Sequence, residues 1–268
     1  MAKPSQSMAA LAGATIAGLW SLGAALPAEA AVVANYKFQN TLSSTIPSAP
    51  DLVPFLLGSY SSASIGGTPT TVYNFGKQQG LSLDATGLIS DNYTIAALLS
   101  FDDISGYRKI LDFKNLTSDT GLYTLGGQLN FYDEDNEPSG GPTVGPGTFF
   151  EVVLTRDSSN ALMTAYFDGT PVFSFSDSSS LGVISAANLL NIFQDDAIIG
   201  GIESSSGSVA GLRIFNNVLT DAEVAALDLR TPSAVPGPLP LFGAAAAFGW
   251  SRRLRKRIAT PLITSPQV

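Results

Sequence analysis

From residue 31 to residue 230, apolar and polar positions alternate in short runs, and Gly, Pro, Asn, Asp and Ser gather between the runs roughly every eight to twelve residues. A period of two sends successive side chains to opposite faces, so the runs predict β-strands. We read strands at Val32–Phe38, Tyr93–Phe101, Arg108–Phe113, Gln128–Tyr132, Phe149–Thr155, Leu162–Phe167, Val172–Ser176 and Val209–Phe215. In the fifth of these, Phe150, Val152 and Leu154 share the face that points to the core, and Phe149, Glu151, Val153 and Thr155 share the other. Asp168-Gly169 lies between two strands, and these residues tolerate the positive φ that a two-residue hairpin needs. Thr220-Asp-Ala-Glu223, ahead of Val224, Ala225 and Leu227, has the spacing of a capping box and predicts one short helix. The pattern predicts a single all-β domain over 31–230, two antiparallel sheets packed face to face with a helix closing it.

The two ends depart from this pattern. Lys3 and the apolar stretch Met8–Leu26 are followed by Ala28-Glu29-Ala30, a small-x-small site, so residues 1–30 predict an export signal cut by signal peptidase between Ala30 and Ala31. An uncleaved N-terminal helix is the alternative. At the other end, a proline-rich linker over 231–238 leads into the apolar stretch Leu239–Trp250 and the basic cluster Arg252, Arg253, Arg255, Lys256 and Arg257. Twelve apolar residues rise only ~18 Å as a helix, short of a bilayer core of about 30 Å. The five cations favour the cytoplasmic side, so the segment predicts a membrane helix with the C-terminus inside; a helix lying on the membrane surface is the alternative. Hinge, apolar stretch and basic cluster in this order resemble the PEP-CTERM sorting signal of bacteria. The resemblance implies recognition at Pro236-Gly237-Pro238-Leu239-Pro240 and cleavage by an exosortase-like transpeptidase. Gly237 stands where that family's core has Glu, and a tail over 259–268 trails the sorting segment 239–258.

Composition narrows the chemistry. The chain has a formal net charge of −8 while its C-terminal cluster is basic, so the 31–230 body is more acidic than the whole, which argues against nucleic acid as a partner. Cysteine is absent, and a body of this size needs no disulfide staples. Histidine is absent too, which removes Ser-His-Asp and Cys-His catalysis and His-ligated zinc. No phosphate-binding loop or dinucleotide fingerprint occurs. Carboxylate chemistry, or none, remains.

The runs Glu151–Asp157 and Ala165–Phe175, then Leu212–Val224, resemble the middle and the closing strand and helix of a LamG-type domain, one of the concanavalin A-like jelly rolls. That resemblance implies a two-sheet sandwich, often a glycan or protein binder, and in some members Ca²⁺ on the rim; the partner we expect here is glycan or extracellular matrix. Asp195-Asp196, with Glu203 beyond paired glycines, is the candidate Ca²⁺ site; two adjacent carboxylates converge only if they lie in a loop, and a turn with Asp side chains on backbone N–H groups is the other reading. Asp133-Glu-Asp135-Asn-Glu137 fails as an EF-hand because Pro138 stands at the turn glycine, and its spacing does not match the paired carboxylates of a retaining glycanase, so we read a solvated loop. Tyr60, Tyr73, Tyr107 and Tyr132 are candidates for stacking on sugars. These features together describe an exported bacterial cell-surface binding protein, with a biofilm or envelope role implied by the tail. A jelly-roll carbohydrate-active enzyme and a structural envelope protein without a soluble ligand are the rivals.

Overall fold

The structure is a computed structural model and describes residues 31–133, 137–196 and 200–230. Its elements in chain order are β1 (Val32–Tyr36), β2 (Val53–Pro54), β3 (Ser59–Ile65), β4 (Thr68–Phe75), β5 (Leu81–Asp84), β6 (Tyr93–Phe101), β7 (Tyr107–Asp112) and β8 (Gly121–Leu125), followed by β9 (Gln128–Tyr132), β10 (Ser139–Gly140), β11 (Phe150–Asp157), β12 (Leu162–Phe167), β13 (Thr170–Ser176), β14 (Leu189–Ile192), β15 (Gly207–Phe215) and α1 (Asp221–Ala225). They form two antiparallel sheets. The longer runs β13-β12-β11-β6-β15-β4-β3, with β1 also on β15; the shorter runs β10-β9-β8-β7-β14-β5-β2. This is the all-β jelly-roll sandwich with one short helix that the alternation predicts.

The core lies between the sheets. Tyr93, Ile95, Ala97, Leu99 and Phe101 of β6 join Ile110, Leu122, Leu129 and Phe131 of the facing sheet in one buried cluster. Phe150, Val152 and Leu154 belong to it, as their alternation requires. The opposite face of β11 is covered as well. Val153 packs with Ala96, Tyr166, Phe215 and Leu219 beneath Val224 of α1, and the Glu151 carboxylate accepts the Leu229 N–H at 2.9 Å. Two-sided cover explains why every residue of β6 is buried. The capping box forms: the Thr220 hydroxyl accepts the Glu223 N–H at 3.3 Å, and the Glu223 carboxylate accepts the Thr220 N–H at 2.8 Å. Asp168 and Gly169 take φ of 45° and 77°, the positive pair that turns β12 into β13.

Several strands escape the alternation reading. β3 is a run of small polar residues, β4 carries Pro69, and β2, β5, β10 and β14 span four residues or fewer. Their apolar signal is too short or too weak to stand out before pairing. Among the described residues no helix is long and apolar enough to cross a membrane. The expected signal segment 1–30, the sorting motif Pro236–Pro240, the Arg252–Arg257 cluster and the rest of 231–268 lie outside the described residues, as does Ala30. Ala31, the first described residue, is exposed.

Candidate functional site

Chemistry-bearing side chains gather on the outer face of the shorter sheet, beneath the loops that follow β7 and β14. The assembly begins with a bulge. On a regular strand Lys109 and Asp112 would face opposite ways, but the β7–β8 register jumps between Lys109 and Leu111. The extra residue turns Lys109 and Asp112 to the same side, and Lys109 Nζ stands 3.6 Å from Asp112 Oδ2. Tyr123, opposite Lys109 on β8, presents its ring 4.7 Å from the same ammonium.

The acidic partners arrive from the loop after β14. Phe193 takes a left-handed φ of 60°, an uncommon conformation for a bulky residue, and its ring is stacked on Phe75 with centroids 4.4 Å apart. This turn redirects the chain so that both adjacent aspartates point inward. Asp196 Oδ2 lies 3.1 Å and Asp195 Oδ1 3.8 Å from Lys109 Nζ. The loop thus brings the pair together, and the cation at its centre is the Lys109 ammonium. Glu203 meets Asp195 through its backbone, donating its N–H to Asp195 Oδ2 at 2.9 Å. The third carboxyl with an oxygen among the pair, all within 4.8 Å of one another, is Asp119. Its backbone carbonyl accepts from the Tyr123 hydroxyl at 2.6 Å. Lys109, Asp119 and Tyr123 carried no sequence signal of their own; only the bulge and the loop paths bring them here.

Burial controls the protons. Asp112 and Asp195 are pushed above the usual carboxylate range, chiefly by desolvation and against the pull of Lys109. Burial and the neighbouring Asp196 raise Asp119 to about 6. Burial, then Asp195 and Asp119, raise Glu203 to about 7. One ammonium shared among several acids leaves negative charge that protons must offset.

Calcium would need six to eight oxygens at roughly 2.3–2.6 Å. The carboxylates supply suitable donors, but the Lys109 ammonium already touches them. At ~4 Å it would repel a calcium ion by about 4 kcal/mol per unit of the ion's charge at an effective dielectric near 20. Its side chain is fully buried. The donor set therefore fits calcium only with Lys109 displaced.

Beside this cluster lies an aromatic group. The rings of Tyr107, Tyr123 and Tyr132 meet edge to face at 5.7, 5.6 and 6.2 Å between centroids. Tyr107 and Tyr132 are half-buried, and the Tyr107 hydroxyl donates to Glu137 Oε2 at 2.9 Å. Tyr73 is instead a core residue, and Tyr60 packs on its ring at 5.3 Å. Of the acidic loop, Glu134 and Asp135 lie outside the described residues. Asp168 serves the hairpin: its Oδ1 accepts the Glu151 N–H at 2.8 Å and Arg230 Nη2 at 2.6 Å.

The fold has known counterparts. Domain 4 of AbnA, a GH43 extracellular arabinanase from Geobacillus stearothermophilus solved with arabinotriose, superposes with a TM-score of 0.56 at 17% identity, covering 76% of this chain and 100% of that domain. The binding domain of botulinum neurotoxin DC, solved with rat synaptotagmin II, gives 0.52 at 13% identity, covering 72% of this chain and 49% of that one. A structure of botulinum neurotoxin type C, whose cell entry depends on interaction with two ganglioside molecules, gives 0.52 at 13% identity, covering 74% of this chain and 50% of that one. The chain thus spans about half the length of the neurotoxin structures. No curated protein matches it in sequence. Residues 75–225, more than half of the chain, match the family model of the concanavalin A-like lectin/glucanases superfamily. On that match and on the sandwich just described, this protein belongs to the concanavalin A-like lectin/glucanases superfamily.

Proposed function

We propose that this protein is an exported bacterial cell-surface domain that binds glycan through the outer face of its shorter sheet. The observation that carries the reading is the tyrosine group: Tyr107 and Tyr132 reach the surface while buried Tyr123 and the Glu137 carboxylate hold them in place. Fixed aromatic faces stack on sugar rings with little loss of conformational freedom. The arabinanase domain solved with arabinotriose, and the type C neurotoxin whose cell entry depends on interaction with two ganglioside molecules, have saccharide-bearing partners, which supports the reading by analogy. Asp112, Asp195 and Asp196 are sealed from solvent and cannot touch a polysaccharide, so binding is favoured over hydrolysis.

The address rests on the two ends of the chain. Signal peptidase cuts between Ala30 and Ala31, the 239–258 segment pauses in the cytoplasmic membrane with its basic cluster inside, and an exosortase-like transpeptidase acts at Pro236–Pro240. Intact-mass analysis of protein recovered from cells reads both cuts; an uncut cytosolic chain would refute export. A glycan array with the full chain tests the binding, with Tyr107→Ala expected to lose at least tenfold in affinity for whatever neutral saccharide binds. A blank array would point to a structural envelope role. Glu203, raised to about 7 and half-buried, favours the enzymatic alternative, because a general acid works best near the ambient pH. Hydrolysis across a polysaccharide panel that is abolished in Glu203→Gln would establish it.

A further inference from the structure

The opposite side of the sandwich carries a groove unrelated to the tyrosines. β15 is shared along one edge by two strands: β4 pairs with Gly207–Val209 and β1 with Leu212–Phe215. Between them Ala210 and Gly211 pair with neither β4 nor β1 on this edge, while on the other edge the β15–β6 register jumps after Val209 and resumes at Gly211 opposite Leu98. The gap opens a groove of about 380 Å³ whose walls include Asn35, Lys37, Thr70, Arg213, Leu229 and Arg230. A Cβ placed on Gly211 would make ordinary contact with Leu229 at 3.7 Å, so the floor lies against that side chain.

Its charge is the informative part. In this acidic domain most cations are engaged internally: Arg108 with Asp103, Lys109 with Asp196, Arg156 with Asp177, and Lys114 with the carbonyls of Ser180 and Val183. Lys37 and Arg213 are exceptions. Among the described residues neither side chain makes a hydrogen bond or close ion pair, although both are half-buried. Burial lowers the Arg213 pKa, and Glu151 and Asp228 act against this through space. A half-buried guanidinium with no hydrogen-bonding partner among the described residues is poised to accept an anion, and its planar fork suits a carboxylate or sulfate in two-point contact. Arg230, at the groove rim, keeps donors besides the one on Asp168. Thr70 and Asn35 add groups suited to sugar hydroxyls. The volume is at the lower end of the ~300–1,000 Å³ typical of small-ligand sites, and so admits a mono- or disaccharide.

We infer that this groove is a second saccharide subsite, selective for an acidic sugar whose carboxylate or sulfate is held by Arg213 and Lys37. The inference rests on reading the domain as a saccharide binder, but it concerns a different face and different residues. The acidic surroundings repel long polyanions, so a single acidic unit is preferred and the salt dependence is shallow.

Calorimetric titration of the full chain with glucuronate, glucose and glucose 6-sulfate tests it. Glucuronate or the sulfated sugar should bind at least tenfold more tightly than glucose. Arg213→Gln should remove that preference, Arg213→Lys should restore part of it, and Lys37→Gln should weaken it; unchanged thermal unfolding would show that the variants are folded. Equal affinity for glucose and both acidic sugars, or acidic-sugar binding untouched in Arg213→Gln and Lys37→Gln, would overturn it. In the outcome where neutral glycans bind and depend on Tyr107 while the acidic sugars do not bind, the groove fails and the glycan-binding reading stands. The converse result, acidic-sugar binding that needs Arg213 with no role for Tyr107, sinks the tyrosine platform and keeps the groove.

Discussion

Replacing Lys109 by methionine keeps the length of the side chain and removes the ammonium at the centre of the carboxyl cluster. At 3.1 Å and an effective dielectric near 20, its attraction to Asp196 alone is about 5 kcal/mol before the cost of desolvation is counted. Asp112 at 3.6 Å and Asp195 at 3.8 Å share it, and burial lifts the pKa of both against the pull of the ammonium. Removing one member of a buried ion pair typically costs about 3–5 kcal/mol, since the stranded charges stay buried. We expect Lys109→Met to lose that amount in urea unfolding at pH 8. The loss should shrink on going to pH 5, where protons take over the neutralising role of the ammonium. Loss of the contact with the Tyr123 ring adds at most about 1–2 kcal/mol and does not depend on pH in this range. A destabilisation below about 1 kcal/mol at pH 8, or one of equal size at both pH values, would refute the reasoning.

The wild-type protein should itself lose stability as the pH rises from 5 to 8. Asp119, raised to about 6, and Glu203, raised to about 7, bind protons in the folded state that they have already released when unfolded. The unfolded chain therefore holds fewer protons in this window, and the unfolding free energy falls with pH; a Tm that rose across it would contradict the assignment. The carboxylates held low, such as Asp103 near 2, titrate below this window and do not disturb it. Calcium offers a separate check. Millimolar Ca²⁺ should leave the wild-type Tm unchanged, because Lys109 stands among Asp119, Asp195 and Asp196, and should raise the Tm of Lys109→Met by mass action. A calcium-dependent rise in the wild type would return Asp195, Asp196 and Glu203 to the role of metal ligands.

Local order determined much of this protein. Strands such as β6, β9 and β12 end where alternation ends, Asp168-Gly169 turns where positive φ is tolerated, and Thr220 and Glu223 cap α1, because each depends on residues within a few positions of one another. The missing histidine bounded the chemistry for the same reason: a residue type that is absent cannot be supplied by folding. Which surfaces meet was decided only in three dimensions. Alternation assigns a side chain to one face or the other but does not say what covers that face, so β11, for which the sequence marks a single core face, is buried on both sides once α1 and Leu229 pack over it. The carboxyl cluster is the extreme case. Lys109 reaches Asp196 across 87 positions of sequence, through a one-residue bulge and a left-handed Phe193 that no periodicity announces. The basic groove arises likewise, from two strands that divide one edge of β15 and leave Arg213 facing the gap.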